Sequence, residues 1–188
     1  NNKAVSGLYP PGSTFKMVTA LAGLDSGAID RNTQFHCPGH FAYGGDRFHC
    51  WKSAGHGNMH LDDAIIQSCD VYFYKAALEI GIEKIADTAR KLGYEADYDF
   101  PLDATRSGLV PDKQWKRGRF GTKWQPGETI VAAIGQGYTQ ATPLQLAVMT
   151  ARLVNGGKRV EPWVTGYIGK RRVYDTKWPR MDFTKKHL

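Results

Sequence analysis

Hydrophobic positions along the 188-residue chain fall into helical stretches separated by irregular ones. Phe15, Val18, Leu21, Ala22 and Leu24 recur three or four apart and form one face of a helix over 14–24. The turn Leu8-Tyr9-Pro10-Pro11-Gly12 leads into it, Ser13 is placed to cap it and Gly27 to end it. Residues 62–74 read as helical in two pieces, with a break near Ser68. Ile82, Ile85, Ala86, Ala89 and Leu92 give an amphipathic helix over 82–92, closed by Gly93. Another helix begins at Thr142, with Pro143 in its first position and Gln145 completing a capping box. Leu144, Ala147, Val148, Ala151 and Leu153 supply its apolar contacts, and Gly156-Gly157 stop it.

The remaining stretches are less regular. Residues 33–60 read as an aromatic, glycine-rich loop with two short strands, and 94–128 as loop punctuated by Pro101, Pro111 and Pro126. The apolar run 130–134 leads into Gly135-Gln136-Gly137, and 163–168 reads as a strand. Strong helices with few strands predict a mixed α/β (α+β) domain whose sheet lies mostly outside this chain.

Composition narrows the class. With 41% hydrophobic and 23% charged residues the chain is a folded domain rather than a disordered one. It is long enough to bury a core of its own. No apolar run approaches the roughly 18–20 residues of a membrane span. The first residues enter a turn rather than an apolar stretch, so an export signal or anchor is expected outside this chain. The net charge of +7 is dispersed. The clusters Lys113-Lys116-Arg117-Arg119, Lys170-Arg171-Arg172 and Lys185-Lys186 form no long basic run interleaved with aromatics and read as solvated basic faces, so no nucleic-acid partner is expected.

Two sets of residues carry candidate chemistry. Ser13 and Lys16 stand three apart at a helix start, where an amine can reach a hydroxyl on the same face. A hydroxyl needs such a base to become a nucleophile, and the helix N-terminus favours the negative charge that develops. The second set is a concentration of sulfur and imidazole: all three cysteines and five of the six histidines fall between His36 and Cys69. Cys37, Cys50, His56 and Cys69 form a Cys₃His set suited to tetrahedral zinc, although no Cys-x-x-Cys spacing is present. A Cys37–Cys50 disulfide with Cys69 as a buried thiol is the competing reading, and His36, His40, His49 and His60 are substitutes for His56.

The string Tyr9-Pro10-Pro11-Gly12-Ser13-Thr14-Phe15-Lys16 resembles the penicillin-binding proteins, the serine transpeptidases that cross-link peptidoglycan. Ser68-Cys69-Asp70 resembles their second motif. The stretch from Trp124-Gln125-Pro126-Gly127-Glu128-Thr129 through Ala133-Ile134-Gly135-Gln136-Gly137-Tyr138 to Ala141-Thr142-Pro143-Leu144-Gln145 is similar to class B members of the elongation type. The resemblance covers residues 5–165. The family's Lys-Thr-Gly is absent, since Gly121-Thr122-Lys123 reverses it and Lys170-Arg171-Arg172 does not match. The chain is therefore expected to be a partial transpeptidase domain over 1–188, without the N-terminal pedestal and anchor or the C-terminal Lys-Thr-Gly segment.

The resemblance implies a penicillin-binding protein/β-lactamase-like fold and a set of roles. Ser13 acylates on a D-alanyl-D-alanine stem peptide, Lys16 takes its proton, Ser68 protonates the leaving amine, and Asp70 holds the second motif. Trp124, Gln136 and Tyr138 are candidates to line the cleft, with framework the preferred reading of each. It also implies a structural zinc held by Cys37, Cys50, His56 and Cys69 beside the site. The expected partners are stem peptides, β-lactam antibiotics and a membrane glycan polymerase of the elongation machinery, at the periplasmic face of the inner membrane. A β-lactamase or β-lactam sensor of the same superfamily, or a non-catalytic zinc-stabilised binding fragment, are the alternatives.

Overall fold

A computed structural model describes residues 2–98, 105–174 and 177–187; the expected turn at Pro101 lies outside them. The helices are α1 (Lys3–Ser6), α2 (Lys16–Ser26), α3 (Leu61–Ile66), α4 (Asp70–Ile80), α5 (Ile82–Leu92), α6 (Lys113–Phe120), α7 (Pro126–Ala132) and α8 (Pro143–Val154). The strands are β1 (Phe35–Cys37), β2 (His40–Tyr43), β3 (Asp46–His49), β4 (Gly57–Met59), β5 (Tyr167–Ile168) and β6 (Arg171–Arg172). They pair as three separate antiparallel ribbons, β1-β4, β2-β3 and β5-β6, with Cys37 opposite Gly57 and His40 opposite His49. The architecture is mixed α/β and helix-rich, as expected.

The core forms where α2 packs on α4 and α5, and α4 on α7. Helix α4 is apolar nearly all round: Val71, Tyr72, Phe73, Tyr74, Ala76, Ala77 and Ile80 are all buried, as a helix enclosed on every side requires. Helix α5 is the opposite case. Its stripe of Ile82, Ile85, Ala86, Ala89 and Leu92 is buried while Glu83, Asp87 and Lys91 face water. Its left-handed cap at Gly93 and the Thr142–Gln145 capping box on α8 form as their residues dictate.

Four expectations are corrected. Ser13 does not cap the first long helix: Gly12–Phe15 form a 3-10 turn, Lys16 starts α2, and no side chain caps either element. Residues 33–60 hold four short strands rather than two. Segment 94–128 contains α6, capped by the Asp112 carboxylate on the Trp115 N–H, and the start of α7, where Pro126 is the first helical residue rather than loop punctuation. Over 163–168 only Tyr167 and Ile168 form a strand, because Trp163 and Val164 have no ladder partner among the described residues. One member of the basic clusters also departs from a solvated face: Lys116 is buried and paired with Glu128.

Candidate active site and cysteine cluster

The turn carrying Ser13 is set from behind by backbone. The Gly12 N–H donates to the Gly135 carbonyl at 3.0 Å, and the Thr19 hydroxyl donates to the Ala133 carbonyl at 2.7 Å. Gly135 has φ +68°, and a Cβ there would meet the Gly12 oxygen at 2.5 Å and the Phe15 Cβ at 2.7 Å. Only glycine lets the Gly135-Gln136-Gly137 turn seat against the turn that carries Ser13. Phe15 and Lys16 are buried beneath the turn, whereas the Ser13 side chain is exposed.

Lys16 is the meeting point of the two motifs. Its side chain is 3% exposed, and its ammonium donates to the Ser68 carbonyl at 2.9 Å, the Ser68 hydroxyl at 3.0 Å and Asp70 Oδ1 at 2.6 Å. An ammonium has three donors, and these three bonds use them all. The Phe73 ring lies 5.8 Å from the same nitrogen. The structure thus brings Lys16, Ser68 and Asp70 into direct contact. Ser13 sits one turn ahead of Lys16, and its hydroxyl makes no hydrogen bond among the described residues.

Ser68 occupies the break between α3 and α4 with φ +50°, a left-handed conformation that strains a non-glycine residue by roughly 1–2 kcal/mol. Two hydrogen bonds from the Lys16 ammonium, each worth about 1.5–3 kcal/mol, offset that strain. Sequence reasoning missed one further participant. The Trp51 N–H donates to Asp70 Oδ2 at 2.9 Å, and its indole N–H lies 3.1 Å from the carbonyls of both Gln67 and Ser68. The one available signal was its place directly after Cys50. Trp124 donates to the Thr129 hydroxyl at 2.8 Å, and Tyr138, itself exposed, packs on Trp115 and Phe120. Gln136 is exposed on its turn.

The cysteines converge on the other side of Ser68-Cys69-Asp70. The ligand atoms of Cys37, Cys50, His56 and Cys69 all lie within 4.8 Å of one another. His56 Nδ1 is 3.6 Å from the Cys37 sulfur and 3.5 Å from the Cys50 sulfur. Tetrahedral zinc with Zn–S near 2.3 Å and Zn–N near 2.1 Å requires sulfur–nitrogen separations of about 3.6 Å, so the donor set fits that ion. The three cysteines are free thiols. Burial, assisted by the neighbouring sulfurs, pushes the Cys69 thiol up to about 12. Burial, together with the Lys52 charge, holds the His56 imidazole below its usual value and favours the neutral ring that a metal needs. The loop closes over the cluster through Gly55, whose φ of +79° places it where a Cβ would meet the Cys37 carbonyl oxygen at 2.3 Å. His36, His40 and His60 instead bond Asn58, Arg47 and Gln34, and His49 is exposed.

Comparison with known proteins shows the family. The profile described as penicillin binding protein transpeptidase domain matches residues 1–188. The peptidoglycan D,D-transpeptidase MrdA of Acinetobacter baumannii is 44% identical over 165 residues, which are 87% of this chain and 25% of that protein. The chain therefore spans about a quarter of the length of the curated relatives it matches. Pseudomonas aeruginosa PBP2, solved in complex with WCK 5153, superposes with a TM-score of 0.92 at 35% identity, over 100% of this chain and 43% of that one. PBP2 from Helicobacter pylori, solved in complex with MreC, gives a TM-score of 0.78 at 42% identity, over 83% of this chain and 29% of that one. By the match along its whole length and by these relatives, the chain belongs to the penicillin-binding protein transpeptidase family.

Proposed function

We propose that this chain is the acylating part of a peptidoglycan D,D-transpeptidase. The observation that carries the reading is the Lys16 amine bonded at once to Ser68 and Asp70, one turn from an exposed Ser13. Ser13 Oγ attacks the carbonyl between the two terminal D-alanines of a stem peptide. Lys16 in its neutral form has two N–H donors and one lone pair, so it can keep two of its present bonds and take the Ser13 proton on the third site. The proton passes through the Ser68 hydroxyl to the departing D-alanine amine. The Ser13 N–H at the head of the 3-10 turn supplies one oxyanion donor. The amine of a neighbouring stem peptide then displaces Ser13 from the acyl group and gives the cross-link. A β-lactam enters the same first step and leaves Ser13 acylated.

Asp70 holds Lys16 with one oxygen and the loop at Trp51 with the other. Cys37, Cys50, His56 and Cys69 would hold a zinc ion, which supplies a rigid tie between that loop and the second motif. No proton or acyl transfer passes through it. The parent protein works at the periplasmic face of the inner membrane, in wall elongation and rod shape, with its anchor outside these residues. The described residues contain no helix long and apolar enough to cross a membrane. The MreC complex of the Helicobacter pylori relative supports partners from the elongation machinery, and a solved peptidoglycan synthase complex that coordinates polymerization and crosslinking supports a membrane glycan polymerase among them. In the full-length protein, Ser13→Ala is expected to abolish covalent labelling by a fluorescent penicillin, read on a denaturing gel. Labelling that survives the substitution removes Ser13 from its role.

A further inference from the structure

Trp51 is 66% exposed, yet both of its polar hydrogens point at the second motif. A tryptophan placed for bulk is buried. This one touches a single aromatic neighbour among the described residues, the His56 ring, at 5.3 Å. Its indole N–H is shared between the Gln67 and Ser68 carbonyls, each 3.1 Å away. Gln67 closes α3 and Ser68 is the left-handed residue that follows. One donor thus spans the two peptide groups where the chain must turn against its preferred geometry. The Ser68 carbonyl has two lone pairs, and Lys16 and Trp51 take one each. Cys50, buried at 6% exposure, fixes the base from which Trp51 reaches across.

We propose that Trp51 is a positioning residue for acylation: its indole N–H holds Ser68 in the left-handed conformation that presents the Ser68 hydroxyl to Lys16. The role rests on the transpeptidase reading given above. It acts through Ser68 and does not need contact with substrate. Without the indole donor, Ser68 keeps its two bonds from Lys16, but the Gln67 and Ser68 carbonyls lose the one donor that ties them together. The hydroxyl is then held less tightly at its angle to the amine, while the fold, which does not bury the ring, stays intact.

The test replaces Trp51 in the full-length protein by β-(3-benzothienyl)alanine, which keeps the ring shape and exchanges N–H for sulfur. Penicillin acylation is resolved into the initial Kd and the acylation rate k2, with thermal melting measured alongside. The expected result is a k2 lowered about tenfold, the scale of one lost hydrogen bond, with Kd and melting temperature unchanged. Trp51→Phe should reproduce it. An unchanged k2 overturns the role, as does a fall in k2 matched by an equal loss of folded protein. The unsubstituted protein and Ser13→Ala run in the same assay. If the first is not acylated, or the second is acylated equally, the transpeptidase reading fails and this role with it, which is a different result from an indifferent residue 51.

Discussion

Residues 35–59 and residues 158–187 each contain short two-stranded ribbons, and they are held in opposite ways. The first stretch buries Cys37, Gly39, Cys50, Gly55 and Met59, and it is stitched to α4 by the Tyr74 hydroxyl on the His49 carbonyl and by Lys75 on the His36 carbonyl. In the second no described residue is buried. It is tethered at its margins, by Arg180 on the Gly156 carbonyl, the buried Arg152 on the Val160 carbonyl and the Thr184 N–H on Asp25, with Met181 and Phe183 half-buried against the core. A cavity of about 840 Å³, lined by Arg90, Arg152, Arg159, Trp163 and Arg180 among others, lies between that stretch and the helices. Ribbons of two to four residues are too short to stabilise either stretch alone. Order in the first comes from side chains that reach the core, and that stretch touches the site through Trp51.

The largest effect is expected where the first stretch meets the core. Asp70→Ala removes one partner of an ion pair whose side chains are 3% and 12% exposed and leaves the Lys16 charge buried. It should destabilise the transpeptidase domain by about 3–5 kcal/mol, measured by denaturant unfolding, and free residues 50–52. A loss below about 1 kcal/mol, the scale of an exposed pair, would mean that the junction is not the anchor. Next comes metal removal. Chelation of the full-length protein should speed amide exchange across 35–59 and slow penicillin acylation, with 158–187 unaffected. Metal analysis that finds no zinc in protein purified without added metal would sink the tie.

Arg152→Ala should give the mirror result. Arg152 is 3% exposed, and its guanidinium bonds the carbonyls of Val160 at 3.1 Å and Lys91 at 2.9 Å. The loss should be about 1.5–3 kcal/mol, with faster exchange near 158–164 and none near 35–59. Exchange that rises in both stretches would erase the distinction between them. The smallest effect is expected away from both stretches, at the α6 cap. Burial alone would raise the Asp112 carboxyl, but the Trp115 N–H and the Arg90 guanidinium outweigh it and hold it below its ordinary 3.8. A depressed carboxylate stabilises above its unfolded pKa and ceases to as pH falls through the folded one. Asp112→Ala should therefore cost about 1 kcal/mol at pH 7, and the difference from the unsubstituted protein should vanish in stronger acid. A deficit that persists there would assign the loss to packing.

The legible parts of the fold were those where one local rule acts alone. The stripe of α5 and the Thr142–Gln145 cap are examples. Helix α7 carries the same signals, Pro126 first and Glu128 third, with the Gln125 N–H donating to Glu128. They were obscured because prolines at intervals through 94–128 suggest loop. The strand expected over 163–168 had suitable β-branched and aromatic residues, but a strand needs a neighbour to pair with. At the site, the sequence placed Ser13, Lys16, Ser68 and Asp70 in one motif set, and the last three do meet. The cysteine and histidine anomaly was visible as composition, and convergence of the four residues needed α4 to carry Cys69 to the loop. Trp51 was not legible, because one of its two donors is a backbone N–H that every residue but proline possesses.

The glycine at 135 has a consequence for change at this site over time. Its Cα hydrogen occupies the space that any methyl would take from the turn bearing Ser13. Substitutions elsewhere around that turn can leave Ser13 where it stands, but at this position even alanine would displace it.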